Sequence, residues 1–212
     1  RNINLECGST SPTVAAETVV AHGADVAICL DGDADRVLII DEYGRPIDGD
    51  QFLGMIGSRW FKNGNLVENT LVSTVMSNMR LEAFLKQEGI KLVRTFVGDR
   101  YVVERMRLNG FNLGGEKSGH VVMMDYSTTG DGLMAGLQFL AEMVRTGEVA
   151  SVVGRPFDLG PQKTENITYA GDKNPLDHPS IKKIISESEK KISGFGRLLV
   201  RKSGTEKLIR IM

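Results

Sequence analysis

Between Ala24 and Gly147 the chain alternates short aliphatic, β-branched runs with longer segments whose apolar residues return at helical spacing. That rhythm admits few folds other than helices layered on a sheet, because each amphipathic face must find a partner. The runs VAICL, VLIID, LVSTV, KLVRTFV and GHVVMMD predict strands. RLEAFLKQEGI, GDRYVVERMRLNG and TTGDGLMAGLQFLAEMVRTG predict helices. Gly89 and Gly147 stand where a helix stops in the left-handed conformation, and Thr129 or Asp131 is the candidate N-cap of the third helix. Around VVGRPFDLGPQ glycine and proline gather and mark a boundary. Beyond it the chain reads as a small α+β unit, with a helix from about Pro179 through SIKKIISESEKKIS and closing strands RLLV and KLIRIM. At 212 residues and 41% hydrophobic content, there is enough apolar material for one large core or two modest ones.

The stretch AICLDGDADRVLII, Ala27 to Ile40, sets Asp31, Asp33 and Asp35 at alternate positions between two aliphatic runs. Carboxylates that close repel one another unless a cation or a set of donors neutralises them. If the extended pleat continues through the segment, the three side chains point one way and can converge on Mg²⁺, leaving coordination positions for a phosphate oxygen. A solvated acidic turn is the plain alternative. An EF-hand reading finds Glu42 in the twelfth place, but Arg36 occupies the position that needs glycine. A phosphatase with Asp31 as nucleophile stays open, although its usual form carries threonine or valine where Asp35 stands.

Two further loops offer chemistry. RKSGTEKLIR, Arg201 to Arg210, supplies two arginines, the hydroxyls of Ser203 and Thr205, and a glycine that lets backbone N–H groups approach. It is a cradle for a phosphate dianion or an ordinary hairpin with surface arginines. GGEKSGH, Gly114 to His120, offers the carboxylate of Glu116, the hydroxyl of Ser118 and an imidazole able to carry a proton near neutral pH. His22 and His178 lack such company and read as structural.

Lysine plus arginine number 26 against 27 aspartate plus glutamate, with no basic stripe, which excludes a nucleic-acid footprint. No apolar run reaches the roughly 18 residues of a membrane span. Two cysteines, Cys7 and Cys29, fit a reducing, soluble compartment. The chain opens on RNINLECGS and stops on LIRIM, so both ends are expected to be cut.

Taken together and in order, NINLECGSTSP, DGDADR, STVMSN, VGDRYV, GGEKSGH, STTGDG and RKSGTEKLIR resemble the α-D-phosphohexomutase family, in particular its phosphoglucosamine branch. The resemblance covers essentially the whole chain. It implies mixed-sheet α/β domains of the phosphohexomutase type followed by a small α+β C-terminal domain. The expected division is 1–60 for the end of domain 2 with the metal loop, 61–153 for domain 3 and 154–212 for domain 4. By the same resemblance Asp31, Asp33 and Asp35 hold Mg²⁺, with Arg36 beside the catalytic phosphate and His120 close to the reacting centre. Glu116 and Ser118 contact sugar hydroxyls, and Gly98, Asp99 and Arg100 line the sugar side. Arg201, Ser203, Gly204, Thr205 and Arg210 grip the phosphate that is not being transferred.

The implied reaction moves phosphate between O6 and O1 of glucosamine phosphate through a bisphosphorylated sugar, in the cytoplasm. Phosphomannomutase or phosphoglucomutase chemistry is the alternative on the same fold, and a non-catalytic sugar-phosphate-binding fragment is another. The family's phosphoserine loop, of the kind TASHNP, has no counterpart here, since STSP at Ser9–Pro12 is not that loop. A missing N-terminal portion is therefore expected, the chain alone is expected to be inactive, and a homodimer is left open. Three departures stand out: Lys117 in place of an amide, Lys207 in place of a proline, and Ala34 in place of the commoner glycine, tolerated if its φ is negative.

Overall fold

The computed structural model describes residues 3–171, 174–203 and 206–212. These fall into two compact units, Arg1–Leu159 and Gly160–Met212.

The first unit begins with helix α1 (Thr13–His22), then strands β1 (Val26–Leu30) and β2 (Val37–Asp41), paired antiparallel from Val26 opposite Asp41 to Leu30 opposite Val37. Helix α2 (Gly49–Lys62) follows, then β3 (Thr70–Thr74), α3 (Met79–Glu88), β4 (Lys91–Thr95), α4 (Asp99–Asn109), β5 (Leu113–Gly115) and β6 (Val121–Met123). The unit closes with α5 (Gly132–Thr146) and the single turn α6 (Ala150–Val153). Strand order in the second sheet is β4-β3-β5-β6, with β3 parallel to both β4 and β5, and β6 antiparallel to β5. This is the α/β layering that the alternation of runs dictates, with a mixed sheet. All of β3 is buried, as expected of a central strand covered on both faces.

Helix termini follow the chemistry of their residues. Asn78 caps α3 by accepting from the Arg80 N–H, and Asp131 rather than Thr129 caps α5 by accepting from the Met134 N–H. Gly89, Gly110 and Gly147 end α3, α4 and α5 in the left-handed conformation.

Helix α2 is the element that the pattern of apolar runs does not announce. It is buried at Gly49 through Ser58 and again at Trp60, so it has no broad polar face to reveal its period. Its glycines are costly to helix propensity but permit contact. A Cβ on Gly54 would meet the Phe157 ring at 2.8 Å, and one on Gly57 would meet Leu71 at 3.0 Å. Phe52, Leu53, Ile56 and Trp60 then join Leu71, Leu81, Leu85, Leu113 and Phe139 in one core, each such side chain contributing about 1.5–3 kcal/mol on burial.

The second unit holds β7 (Glu165–Thr168), α7 (Pro179–Ile192), β8 (Val200–Lys202) and β9 (Leu208–Ile211), in the antiparallel order β7-β9-β8. Pro179 opens α7 as expected. Two differences from the sequence reading occur here. Strand β7 lies in an exposed, polar stretch with no apolar alternation. The strand expected at RLLV is displaced to Val200–Lys202, where register opposite β9 sets it.

Candidate functional site

The acidic loop joins β1 to β2, so the hairpin holds both of its ends rigidly. The pleat does not continue through it. The Ala34 N–H donates to the Asp31 carbonyl at 3.2 Å, and Ala34 adopts φ +59°, left-handed rather than the negative value under which an alanine was expected to be tolerated. A turn therefore gathers the carboxylates that the alternation suggested a strand would align. One oxygen from each of Asp31, Asp33 and Asp35 lies within 4.8 Å of the others.

Among the described residues Arg36 is the cation found beside that charge. The Arg36 N–H donates to Asp31 Oδ1 at 3.1 Å, while its Nε stands 3.8 Å from Asp31 Oδ2 and 3.8 Å from Asp35 Oδ1. Burial, a hydrogen bond shared with Asp31 and the neighbouring carboxylates push the Asp35 carboxyl above its usual range, against the pull of His120. Asp35 Oδ1 is buried without a hydrogen-bond partner among the described residues. Oxygen donors that converge, repel and leave a buried lone pair unused are the donor set a hard divalent cation takes, so the residues present fit Mg²⁺.

Two other loops close on this turn. His120 is 2% exposed, and its Nδ1 sits 3.0 Å from Asp35 Oδ2. The Val37 N–H donates to the Gly119 carbonyl at 3.0 Å, and the Gly132 N–H to the Ala34 carbonyl at 2.8 Å. A Cβ on Gly119 would collide with the Val37 carbonyl, one on Gly130 would meet His120 Nε2 at 2.6 Å, and one on Gly132 would meet the Arg36 carbonyl at 2.6 Å. Glycine is the residue whose backbone approaches this closely. These three positions carry no reactive group, which is why a search for reactive side chains passes over them.

The far end of the GGEKSGH loop reaches the VGDRY turn. Glu116 Oε1 accepts from the Gly98 N–H at 3.0 Å, where Gly98 (φ 129°) precedes α4. Asp99 and Arg100 are exposed, with the Arg100 guanidinium over the Tyr101 ring, 4.5 Å from its centroid. Ser118 is exposed at the loop's tip. Lys117 lies 3.3 Å from Asp48 Oδ2, at the N-cap of α2. Asp31, Asp33, Asp35 and Arg36 thus meet the buried His120 at one end of the GGEKSGH loop, whose Glu116 reaches Gly98 at the other.

In the second unit, Arg201 and Arg210 stand directly opposite each other on β8 and β9. Burial and the Arg210 charge hold the Arg201 guanidinium below its usual pKa, and the Nε atoms of both have no hydrogen-bond partner among the described residues. Ser203 is buried, and its hydroxyl accepts from the Glu206 N–H at 3.3 Å. Like charges placed opposite one another destabilise a sheet unless an anion intervenes. Gly204 and Thr205 lie outside the described residues.

Fold and site together define an α/β protein with a cation-type carboxylate cluster on a hairpin and an arginine pair on a separate small sheet. Residues 48–156 match the model of the phosphoglucomutase/phosphomannomutase α/β/α domain III, and residues 165–212 match that of the C-terminal domain of the same proteins. The chain belongs to the phosphoglucomutase/phosphomannomutase family. Phosphoglucosamine mutases of Cereibacter sphaeroides and of a Ruegeria species are 60% and 61% identical to it over 212 and 211 residues. The chain spans 47% of the length of each of these curated relatives. Among solved structures, a phosphoglucomutase/phosphomannomutase family protein from Burkholderia thailandensis superposes with TM-score 0.76 at 18% identity, over 96% of this chain and 45% of the other. Aspergillus fumigatus N-acetylphosphoglucosamine mutase, in complex with GlcNAc-6P and magnesium, superposes with TM-score 0.73 at 19% identity, over 98% and 52%. Among the described residues no helix is long and apolar enough to cross a membrane.

Proposed function

We propose that the protein to which this chain belongs is a phosphoglucosamine mutase, interconverting glucosamine 6-phosphate and glucosamine 1-phosphate through a bisphosphorylated sugar. The observation that carries the reading is the joining of the carboxylate turn to the GGEKSGH loop through Asp35 and His120, in a chain about 60% identical to phosphoglucosamine mutases along its whole length. Bound to Asp31, Asp33 and Asp35, Mg²⁺ would supply charge stabilisation for a phosphoryl group. Arg36 faces the same charge from the protein side. His120, with Nδ1 on Asp35, is held in one orientation next to the cluster. Glu116 and Ser118 bind sugar hydroxyls, with Gly98, Asp99 and Arg100 beside them. Arg201, Ser203, Gly204, Thr205 and Arg210 hold the phosphate that does not react, a role that the arginines set opposite each other on β8 and β9 support.

The phosphoserine that donates phosphate in this reading has no counterpart among the 212 residues, which span 47% of the relatives' length and are expected to bind weakly at best and not to turn over. The division into 1–60, 61–153 and 154–212 belongs to the same reading, beside family-model spans of 48–156 and 165–212. A cytoplasmic location and a homodimer belong to the same reading.

The test is turnover of glucosamine 6-phosphate by the full-length protein with Mg²⁺ and a catalytic amount of bisphosphorylated sugar, beside glucose and mannose 6-phosphates. Preference for glucosamine is expected. Equal or better rates on the other two would move the protein to a sister branch, and release of inorganic phosphate without isomerisation would make it a phosphatase.

A further inference from the structure

The tip of the GGEKSGH loop rests on the start of helix α2, at residues that the proposed reaction does not use. The Gly119 N–H donates to the Glu116 carbonyl at 3.0 Å, which closes a turn with Lys117 and Ser118 as its two central residues. Two tethers hold the ends of this loop, Glu116 on the Gly98 N–H and His120 on Asp35. Neither holds the central pair.

A third contact does. Lys117 Nζ stands 3.3 Å from Asp48 Oδ2, while Asp48 Oδ1 accepts from the Asp50 N–H at 2.9 Å. One carboxylate thus caps α2 with one oxygen and takes the loop's lysine with the other. The next residue, Gly49, lies so close to the turn that a Cβ there would collide with the Lys117 carbonyl and stand 3.2 Å from the Glu116 carbonyl oxygen. Glycine lets the backbone of the turn settle onto the helix terminus, and the ion pair engages the same stretch from its side chain. With the Asp48 and Lys117 side chains 19% and 37% exposed, water screens this pair less than it screens a fully exposed one.

We propose that Lys117 and Asp48 are positioning residues for the substrate loop: their pair latches the turn onto the N-terminus of α2 and so fixes Glu116 and Ser118, the neighbours of Lys117 on either side. The lysine is engaged on the protein. Its presence where the phosphoglucosamine branch usually carries an amide therefore changes how firmly the loop is held, and leaves the choice of sugar to Glu116 and Ser118. The role rests on the mutase reading only in that these two residues are taken to bind the sugar.

Asp48→Asn and Lys117→Gln supply the test. Asparagine caps a helix as well as aspartate does, so the first change removes the charge and leaves α2 its cap. In the full-length protein each single change is expected to raise KM for glucosamine 6-phosphate about 3- to 5-fold, the upper range for one ion pair in partial contact with water, with kcat nearly unchanged. The double variant is expected to be no worse than the worse single, because both remove the same contact. Relative kcat/KM for glucosamine, glucose and mannose 6-phosphates is expected to stay as in wild type when Lys117 becomes glutamine. Amide hydrogen exchange at Gly119, whose N–H closes the turn, is expected to speed up in either variant, and it needs no turnover. A wild-type protein without activity would count against the mutase reading and leave the exchange measurement to judge the latch. Additive losses in the double variant, unchanged exchange at Gly119, or a sugar preference that shifts in Lys117→Gln would overturn the proposal.

Discussion

The Nδ1 of His120 stands 3.0 Å from Oδ2 of Asp35, so one imidazole joins the turn between β1 and β2 to the loop between β5 and β6. Residues 85 positions apart thereby become one site. The cluster on the near side of that contact sets three carboxylates against one nearby guanidinium, Arg36, and this sets the first prediction.

Without a divalent cation, exposed Asp33 contributes mainly repulsion to Asp31 and Asp35. Asp33→Asn is expected to raise the melting temperature in chelator and to lower Mg²⁺ affinity by about tenfold or more, because affinity for a hard cation follows the number of charged oxygen ligands. Calorimetric Mg²⁺ titration and melting in chelator and in excess Mg²⁺ check both halves. The order of stabilities should invert between the two conditions. A variant less stable than wild type in both would mean that the carboxylate serves a protein contact instead.

Ala34 sits within the same turn at φ +59°. An L-residue there costs about 1–2 kcal/mol, and glycine returns part of it through its greater freedom in the unfolded chain. Ala34→Gly is expected to stabilise the protein by about 0.5–1 kcal/mol in urea unfolding, with Mg²⁺ affinity nearly unchanged. Loss of stability would show that the turn bears no such strain.

What was legible in the chain and what was not divide along physical lines. The strands and helices around β3, β4, α3, α4 and α5 carry a clear period and glycine stops, and they lie where the sequence puts them within a few residues. Asp31, Asp33 and Asp35 converge as the motif suggested, but through a left-handed turn at Ala34, which alternation alone does not encode. Helix α2 escaped because burial on nearly all sides erases amphipathic contrast, and β7 because its pairing with β9 is a long-range fact with no local apolar pattern. Asp50 escaped for another reason: its meaning arises from a link between α2 and the loop that joins β3 to α3, which lie 28 residues apart in the chain. Glycines 119, 130 and 132 announced themselves within motifs, although only the backbone contacts tell what they permit.

Arg201 and Arg210 oppose each other across β8 and β9, with Nε atoms that find no hydrogen-bond partner among the described residues, although Arg210 also lies 3.7 Å from Glu206. Arg201→Ala in the full-length protein is expected to raise KM for the sugar phosphate about 10- to 100-fold, the scale of a charge-assisted hydrogen bond, with a smaller effect on kcat. In phosphate-free buffer the variant should be at least as stable as wild type, because removing one guanidinium relieves a like-charge pair. Steady-state kinetics together with melting curves separate the two effects. An unchanged KM would remove the pair from the site.

Asp50 gives the protein a pH dependence of definite sign. Its carboxyl, near 3.8 in the unfolded chain, is raised to about 6 in the fold, chiefly by burial. Between those values the folded state holds a proton that the unfolded state has released, so stability falls as pH rises through the window and stays lower above it. The ceiling on the loss is about 3 kcal/mol, from 1.36 kcal/mol per pKa unit. Asp50→Asn does not titrate, so its stability relative to wild type should grow from about pH 4 to about pH 6 and level off beyond. Urea unfolding midpoints of both proteins from pH 4 to pH 8 measure that difference directly. A constant offset across the range would mean that Asp50 ionises in the fold as freely as in water.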